Sequence, residues 1–413
     1  LDGTFVPPPG TDPYAILFLR ELRMPDNVRN NPMPEIDVTP EVNRQAWQRQ
    51  KESVSADPEG LTFSHYKAGA QHPLINAFDA RLRGIPYKHG FSPTHWQNIT
   101  DVEILKKAGV YDIDKMRTIT LMDAAFNMNN KQLGRDLMRH AEKLNNLARE
   151  QYGSRKHHQS CTAATNKVLT MDLLRLRRQA GALCSNDAKS CYDRIVHSVA
   201  ALSLRRQGAP KAAVASLLLT LQRAKHKIRT AFGVSQVYYG GSRHPPLHGL
   251  GQGNGMAPTG WGVISSPLIN MMRTAGFGVK LRTCLSEKEF EFVCYAFVDD
   301  TDIVHTGPSV DTPGEEILDD MRQFVEHWEG GLRATGEALR VDKSAWYLID
   351  FRWKNNKWRY ASKTDIPGDI LVRDADGEKR TLHRLEPHEA IETLGIYIAM
   401  DGNQKAEVRK LRE

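Results

Sequence analysis

Cysteine is scarce in this chain: Cys161, Cys184, Cys191, Cys284 and Cys294 are all that its 413 residues contain. The number is odd and no Cys-x-x-Cys pair occurs, so neither a disulfide framework nor a zinc ribbon is indicated. A reducing, intracellular setting fits best. His157, His158 and Cys161 lie close together but have no fourth partner at a recognised metal spacing, and they read as loop residues. Long hydrophobic runs are missing too. No stretch approaches the ~18 apolar residues of a membrane span and no secretory signal is visible, so no membrane partner is expected. There is no internal repeat. Nor is there an excess of acid: 56 Lys and Arg stand against 49 Asp and Glu, for a formal net charge of +7. That modest basic balance favours a polyanionic partner such as nucleic acid.

What is present is the composition of an ordinary globular protein, 40% hydrophobic and 25% charged, with length for two or three packed subdomains. The chain starts at Leu1 rather than Met and ends at Glu413 in a charged, helix-like stretch, so it reads as a piece of something longer. Residues 1–40 are rich in proline and read as an arm or linker. From 41 to about 160 the pattern is mainly helical, and 160–178 continues as a helix. Ala182 to Asp187 reads as a buried strand ending at a carboxylate. Glycines 249, 251, 253 and 255 mark a loop before the apolar, helix-like stretch Trp261–Met272. That loop fails the GxGxxG spacing, and Arg243-His244-Pro245-Pro246 before it is no strand, which excludes a dinucleotide fingerprint.

The clearest local pattern lies at 290–351. Phe292 to Val298 is apolar and β-prone, Asp299-Asp300 interrupts it, and Thr301 to Thr306 resumes it, predicting a hairpin with both aspartates at its two-residue tip. Thr312-Pro313-Gly314-Glu315 predicts a capped helix start. Ile317, Leu318, Met321, Phe324, Val325 and Trp328 follow at helical spacing, and Gly330-Gly331 predicts the stop. A strand at 346–351 completes an α+β layer, with helices backing one antiparallel sheet. Consecutive strand residues face opposite ways, so two adjacent aspartates serve one site only at a turn. Asp187 and Asp299 each end a separate apolar strand and form the leading pair, with Asp300 the outer member. Two carboxylates 4 Å apart repel by about 4 kcal/mol at an effective dielectric of 20. Such a cluster calls for a hard cation, Mg²⁺ or Mn²⁺, and two such ions suit in-line phosphoryl displacement.

At this point the residues resemble a family, the reverse transcriptases, most closely the non-long-terminal-repeat retroelement and group II intron branch. Phe297-Val298-Asp299-Asp300 resembles the family's metal-binding hairpin, and Asn186-Asp187 through Arg194 its other catalytic motif. Tyr192, five positions after Asp187, matches the residue that blocks the ribose 2′-hydroxyl, which implies deoxynucleotides. Gly251-Gln252-Gly253 through Pro258 is similar to the loop that packs on template and incoming nucleotide. Trp96–Lys107 with Arg117-Thr118 resembles the segment whose lysine and arginine hold the triphosphate; Lys106 is open as the lysine in place of Lys107. Gln151-Tyr152-Gly153-Ser154-Arg155 resembles the Gln-x-Gly-x-Arg element, Gly336 to Lys343 the motif whose lysine lies near pyrophosphate, and Leu394 to Tyr397 the primer grip. Thr118 stands where the family usually has proline, and Ala257 where it has serine.

The resemblance implies an α+β right-hand polymerase: fingers at 41–180, a palm with a ferredoxin-like sheet at 181–400, and the start of a thumb at 401–413. It implies catalytic, metal-binding Asp187, Asp299 and Asp300. Lys107, Arg117, Tyr192, Gln252, Gly253 and Lys343 would contact substrate. The implied partners are an RNA template, a DNA primer, deoxynucleoside triphosphates and two Mg²⁺ ions. An RNA-dependent RNA polymerase, or a retroelement-derived protein that binds nucleic acid without catalysis, are the alternatives.

Overall fold

The strand Ala345–Ile349 is buried at all five positions, as its unbroken apolar sequence dictates for a strand covered on both faces. In this computed structural model it lies second in a five-stranded sheet. The structure describes residues 1–52, 57–189, 191–242, 247–282, 286 and 288–413. Ser190, Cys284 and the stretch Arg243-His244-Pro245-Pro246 lie outside the described residues.

The chain forms two compact units, both discontinuous in sequence. The first comprises Leu1–Thr4, Leu22–Asn146 and Tyr192–Val263; the second comprises Phe5–Glu21, Leu147–Cys191 and Ile264–Glu413. The expected divisions at 41–180 and 181–400 were continuous stretches, whereas these units exchange the chain between them.

The second unit is built on the sheet of order His383–Leu385, Ala345–Ile349, Gly181–Asn186, Asp300–Thr306, Cys294–Phe297. Gly181–Asn186 runs antiparallel to both neighbours. Leu183, Val304 and Tyr347 from three adjacent strands meet Met171 and Leu174 of the Ser160–Arg177 helix in one core cluster. The helix Gly314–Thr335 buries all six apolar residues of its predicted face. Its ends differ from expectation. The N-cap is Pro313, without a side-chain cap bond, so no capping box forms at Thr312. The helix also runs through Gly330-Gly331 and stops at Gly336, which takes a left-handed φ of 96°. A Cβ on Gly330 would fall 2.3 Å from the Tyr14 ring. Glycine therefore serves close packing there, not termination. Tyr14 belongs to the helix Pro13–Glu21, which buries Phe18, so part of the proline-rich stretch packs as a helix rather than extending as an arm.

The first unit carries a sheet in which Asn98–Leu105 pairs antiparallel with Met116–Leu121 and parallel with Lys225–Thr230. This hairpin interrupts the region expected to be mainly helical. The longer helices of the unit are Pro73–His89, Ala124–Lys143, His197–Arg206 and Lys211–Arg223. Among the described residues no helix is long and apolar enough to cross a membrane, and Cys161, Cys184, Cys191 and Cys294 form no disulfide with one another.

Candidate active site

Two apolar strands joined by two polar residues give a hairpin, and the register fixes which residues turn. Phe297 pairs with Asp300, so the loop is Val298-Asp299, and Asp300 opens the returning strand. The predicted tip is corrected by one residue. The reason is conformational: Val298 adopts φ 59°, a left-handed value that β-branched residues rarely take.

The carboxamide of Gln151 holds that turn. Its Oε1 accepts from the Val298 N–H at 2.9 Å and from the Gly153 N–H at 2.9 Å. Its Nε2 donates to the Val298 carbonyl and the Ser265 hydroxyl, both at 3.1 Å. Gln151 is buried. Backbone bonds from Ala296 N to Glu150 O and from Tyr152 N to Ala296 O lay this segment along the outer hairpin strand. A Cβ on Gly153 would sit 2.2 Å from the Val298 nitrogen, so only glycine allows the approach.

Asp187 follows directly on Gly181–Asn186. The last ladder pair is Asn186 with Thr301, and one step further sets Asp187 opposite Asp300. The Asp187 N–H donates to the Ser344 hydroxyl at 3.2 Å, and its carbonyl accepts from the Arg340 N–H at 2.8 Å. Lys343 Nζ lies 3.3 Å from Asp187 Oδ2. The structure thus brings Asp187, Asp299, Asp300 and Lys343 to one end of one sheet.

Their electrostatics follow from crowding. Partial burial raises the Asp299 carboxyl above its usual range, and the Asp187 charge adds to this while Lys343 opposes it. Asp300 is pushed up to about 6, first by burial and then by Asp299, Asp187 and Asp302. Among the described residues no three His, Cys, Asp or Glu side chains are grouped tightly enough to hold a metal ion. The donor set still fits a hard divalent cation. It offers carboxylate oxygens alone, and their mutual repulsion is what a cation relieves.

Lys107, Arg117, Tyr192, Gln252 and Gly253 belong to the first unit. Arg117 projects from Met116–Leu121 and Lys107 from the turn before it; both are exposed, and neither has an ion pair among the described residues. Lys106 is near enough to Asp193 to lower that carboxyl, whose pKa burial otherwise raises. The glycine loop is bolted at both ends. Leu250 N donates to the Tyr192 carbonyl at 2.7 Å, and Thr120 N to the Gln252 carbonyl at 2.7 Å. The loop thereby ties the backbone of Tyr192 to the strand that carries Arg117.

Lys167 was not anticipated. Fully buried, it donates to Asp302 Oδ2 at 2.9 Å and to Thr393 Oγ1 at 2.8 Å. Asp302 lies two residues beyond Asp300 in the same strand, so this ion pair anchors the hairpin from beneath. A signal existed: Lys167 falls in line with Ala163, Ala164, Thr170, Met171 and Leu174, the buried face of its helix. Gln151 was visible only as part of a motif, with nothing to indicate its partner.

A family model described as "Reverse transcriptase (RNA-dependent DNA polymerase)" matches residues 104–395, well over half of the chain. No curated protein matches it.

Proposed function

The chain belongs to the reverse transcriptase family, and we propose that it adds deoxynucleoside triphosphates to a DNA primer 3′-hydroxyl under the direction of an RNA template. With that membership goes the α+β polymerase fold of fingers and palm. In this reading Asp187, Asp299 and Asp300 hold two Mg²⁺ ions, which Mn²⁺ can replace. Bound there, the ions supply positive charge for the attacking and leaving oxygens.

The remaining roles fall to the chain's own groups. Arg117, with Lys107 or Lys106, neutralises charge on the triphosphate, which is most of what phosphoryl transfer asks of a protein. Lys343 offsets the Asp187 charge and lies ready for the pyrophosphate. Tyr192 excludes the ribose 2′-hydroxyl, and Gln252-Gly253 presents backbone to the template and nucleotide. Gln151 and Lys167 act through the hairpin, holding Asp299 and Asp300 in position.

The observation that carries the reading is the meeting of carboxylates from two separate strands at one sheet end, where burial and then the Asp187 charge raise the Asp299 and Asp300 carboxyls, with a lysine 3.3 Å from Asp187. Primer extension on an RNA template with Mg²⁺ tests it, with deoxy- and ribonucleotides compared and Asp299→Ala run beside the unaltered protein. Extension that survives Asp299→Ala sinks the site. Preferential ribonucleotide incorporation favours an RNA-synthesising enzyme, and tight template binding without extension favours a non-catalytic binder.

A further inference from the structure

The segment 351–364 carries Arg352, Lys354, Lys357, Arg359 and Lys363 and no acidic residue. This gives it a local charge of +5 in a chain whose net charge is +7. It folds as the hairpin Phe351–Lys354 with Lys357–Tyr360, turned through Asn355-Asn356 at φ 52° and 55°. The register places Arg352 directly opposite Arg359 and Lys354 directly opposite Lys357. Alternation puts all four on one face. Like charges set directly across a ladder destabilise it. Arg352 is relieved by Glu315 at 2.8 Å and Asp350 at 3.5 Å, whereas Lys354, Lys357 and Arg359 have no ion pair among the described residues.

The other face is aromatic. Phe351 and Tyr360 pack against the core, and the next pair outward, Trp353 with Trp358, extends into solvent at 59% and 44% exposure. The two indoles meet edge to face at 5.4 Å, and the Arg178 guanidinium lies 4.8 Å from the Trp358 ring centre. The other five tryptophans, at 47, 96, 261, 328 and 346, are buried. A cross-strand Trp pair explains part of the hairpin's own stability. It does not explain the like-charge pairs behind it: Arg352 has acidic partners and Asp365 feels both Arg352 and Lys354, but Lys354 opposite Lys357 has no ion pair among the described residues. The hairpin also stands apart from the carboxylates. Ser344 touches Asp187, and the strand then runs away from it, roughly 20 Å over the six residues to Asp350 at strand rise.

We propose that this hairpin is an accessory binding site for single-stranded nucleic acid, with phosphates along the Arg/Lys face and a base stacked on Trp353 or Trp358. Exposed indoles, with Arg178 beside Trp358 and the Lys354, Lys357 and Arg359 cations on the opposite face of the same narrow hairpin, are the chemistry that holds a single strand without reading its sequence.

The test titrates the whole chain with a single-stranded RNA oligonucleotide and follows tryptophan emission, without nucleotide or metal, so its failure is separate from failure of the polymerase reading. The expected result is saturable quenching, because only the hairpin tryptophans are accessible. The double variant Trp353→Phe/Trp358→Phe should abolish the quenching. The double variant Lys354→Glu/Arg359→Glu sets an acid opposite a cation at both ladder positions, so the hairpin should fold at least as well. Affinity should nonetheless fall about tenfold or more, and the dependence of log K on log salt should flatten by roughly 0.7 for each phosphate the variant no longer neutralises. Wild-type affinity and salt slope in that variant would overturn the proposal, and so would tryptophan emission that stays unchanged as the RNA is added. Equal quenching by a blunt duplex would overturn the single-strand assignment.

Discussion

The two units of the chain present opposite solutions to the problem of charge. In the second, Asp187, Asp299 and Asp300 are like charges forced close, and each is held by backbone ladders, by the Gln151 carboxamide or by the strand that Lys167 anchors. In the first, Arg117 and Lys107 are exposed, have no ion pair among the described residues, and sit on a hairpin strand and a turn. The contrast has a physical basis. Carboxylates that repel one another do not stay together unless a scaffold fixes them, whereas long cationic side chains reach an anion from a loose base. Geometry should therefore matter more than charge in the second unit, and charge more than geometry in the first.

The sharpest way to break this comparison is conservative substitution on both sides. Asp299→Ala should cost about 4 kcal/mol of transition-state stabilisation, roughly a thousandfold in rate, and Asp299→Glu should lose most of that despite keeping its charge. Arg117→Lys should retain most activity where Arg117→Ala does not. Single-turnover primer extension reads all four, and a tolerant Asp299→Glu would undo the argument. Next in size, Tyr192→Ala should raise ribonucleotide incorporation by about 10- to 100-fold, the range over which one steric group in a pocket discriminates, with deoxynucleotide incorporation little changed. Gly153→Ala forces a methyl against Val298 and should cost about 1–3 kcal/mol of stability. Denaturant melts check this, and primer extension should fall alongside.

Smaller effects follow from titration. Asp300 is raised to about 6 in the folded chain against about 3.9 unfolded. The unfolded state loses this proton first, so the metal-free protein should lose stability as pH rises from about 4 to about 6. Mg²⁺ affinity should rise over the upper part of the same range, as the competing proton leaves. Both trends should weaken in Asp300→Asn without vanishing, because burial and Asp187 also raise the Asp299 carboxyl; melts with metal titrations at several pH values check this, and an unchanged trend would remove Asp300 as its source. Least of all, Lys343→Ala should change folding stability by no more than about 1 kcal/mol, because the lysine is 57% exposed. A larger loss would mean that the sheet end depends on its cation more than the ladders suggest.

Much of the architecture was legible because it is local. The apolar run before Asp299, the resumption after Asp300 and the amphipathic helix through Trp328 each follow from side-chain period. The errors were of another kind. Gly330-Gly331 looks like a helix stop, and only the presence of Tyr14, more than three hundred residues earlier, shows why glycine is needed there. The proline-rich start looks unable to pack, yet Tyr14 and Phe18 give its helix something to bury.

The sequence by itself determined the kinds of group in the proposed function and their order along the chain: acids after apolar strands, an aromatic residue five positions past the first acid, cations ahead of both. Period and composition carry that information because they act between near neighbours. The tertiary structure decided which two residues turn the hairpin, how Val298 is held in a left-handed conformation, and which buried lysine lies beneath Asp302. Gln151 and Val298 are 147 positions apart, and Lys167 and Asp302 are 135 apart. A hydrogen bond over such a separation has no local signature. It exists only once the sheet and its backing helix have brought the two ends together.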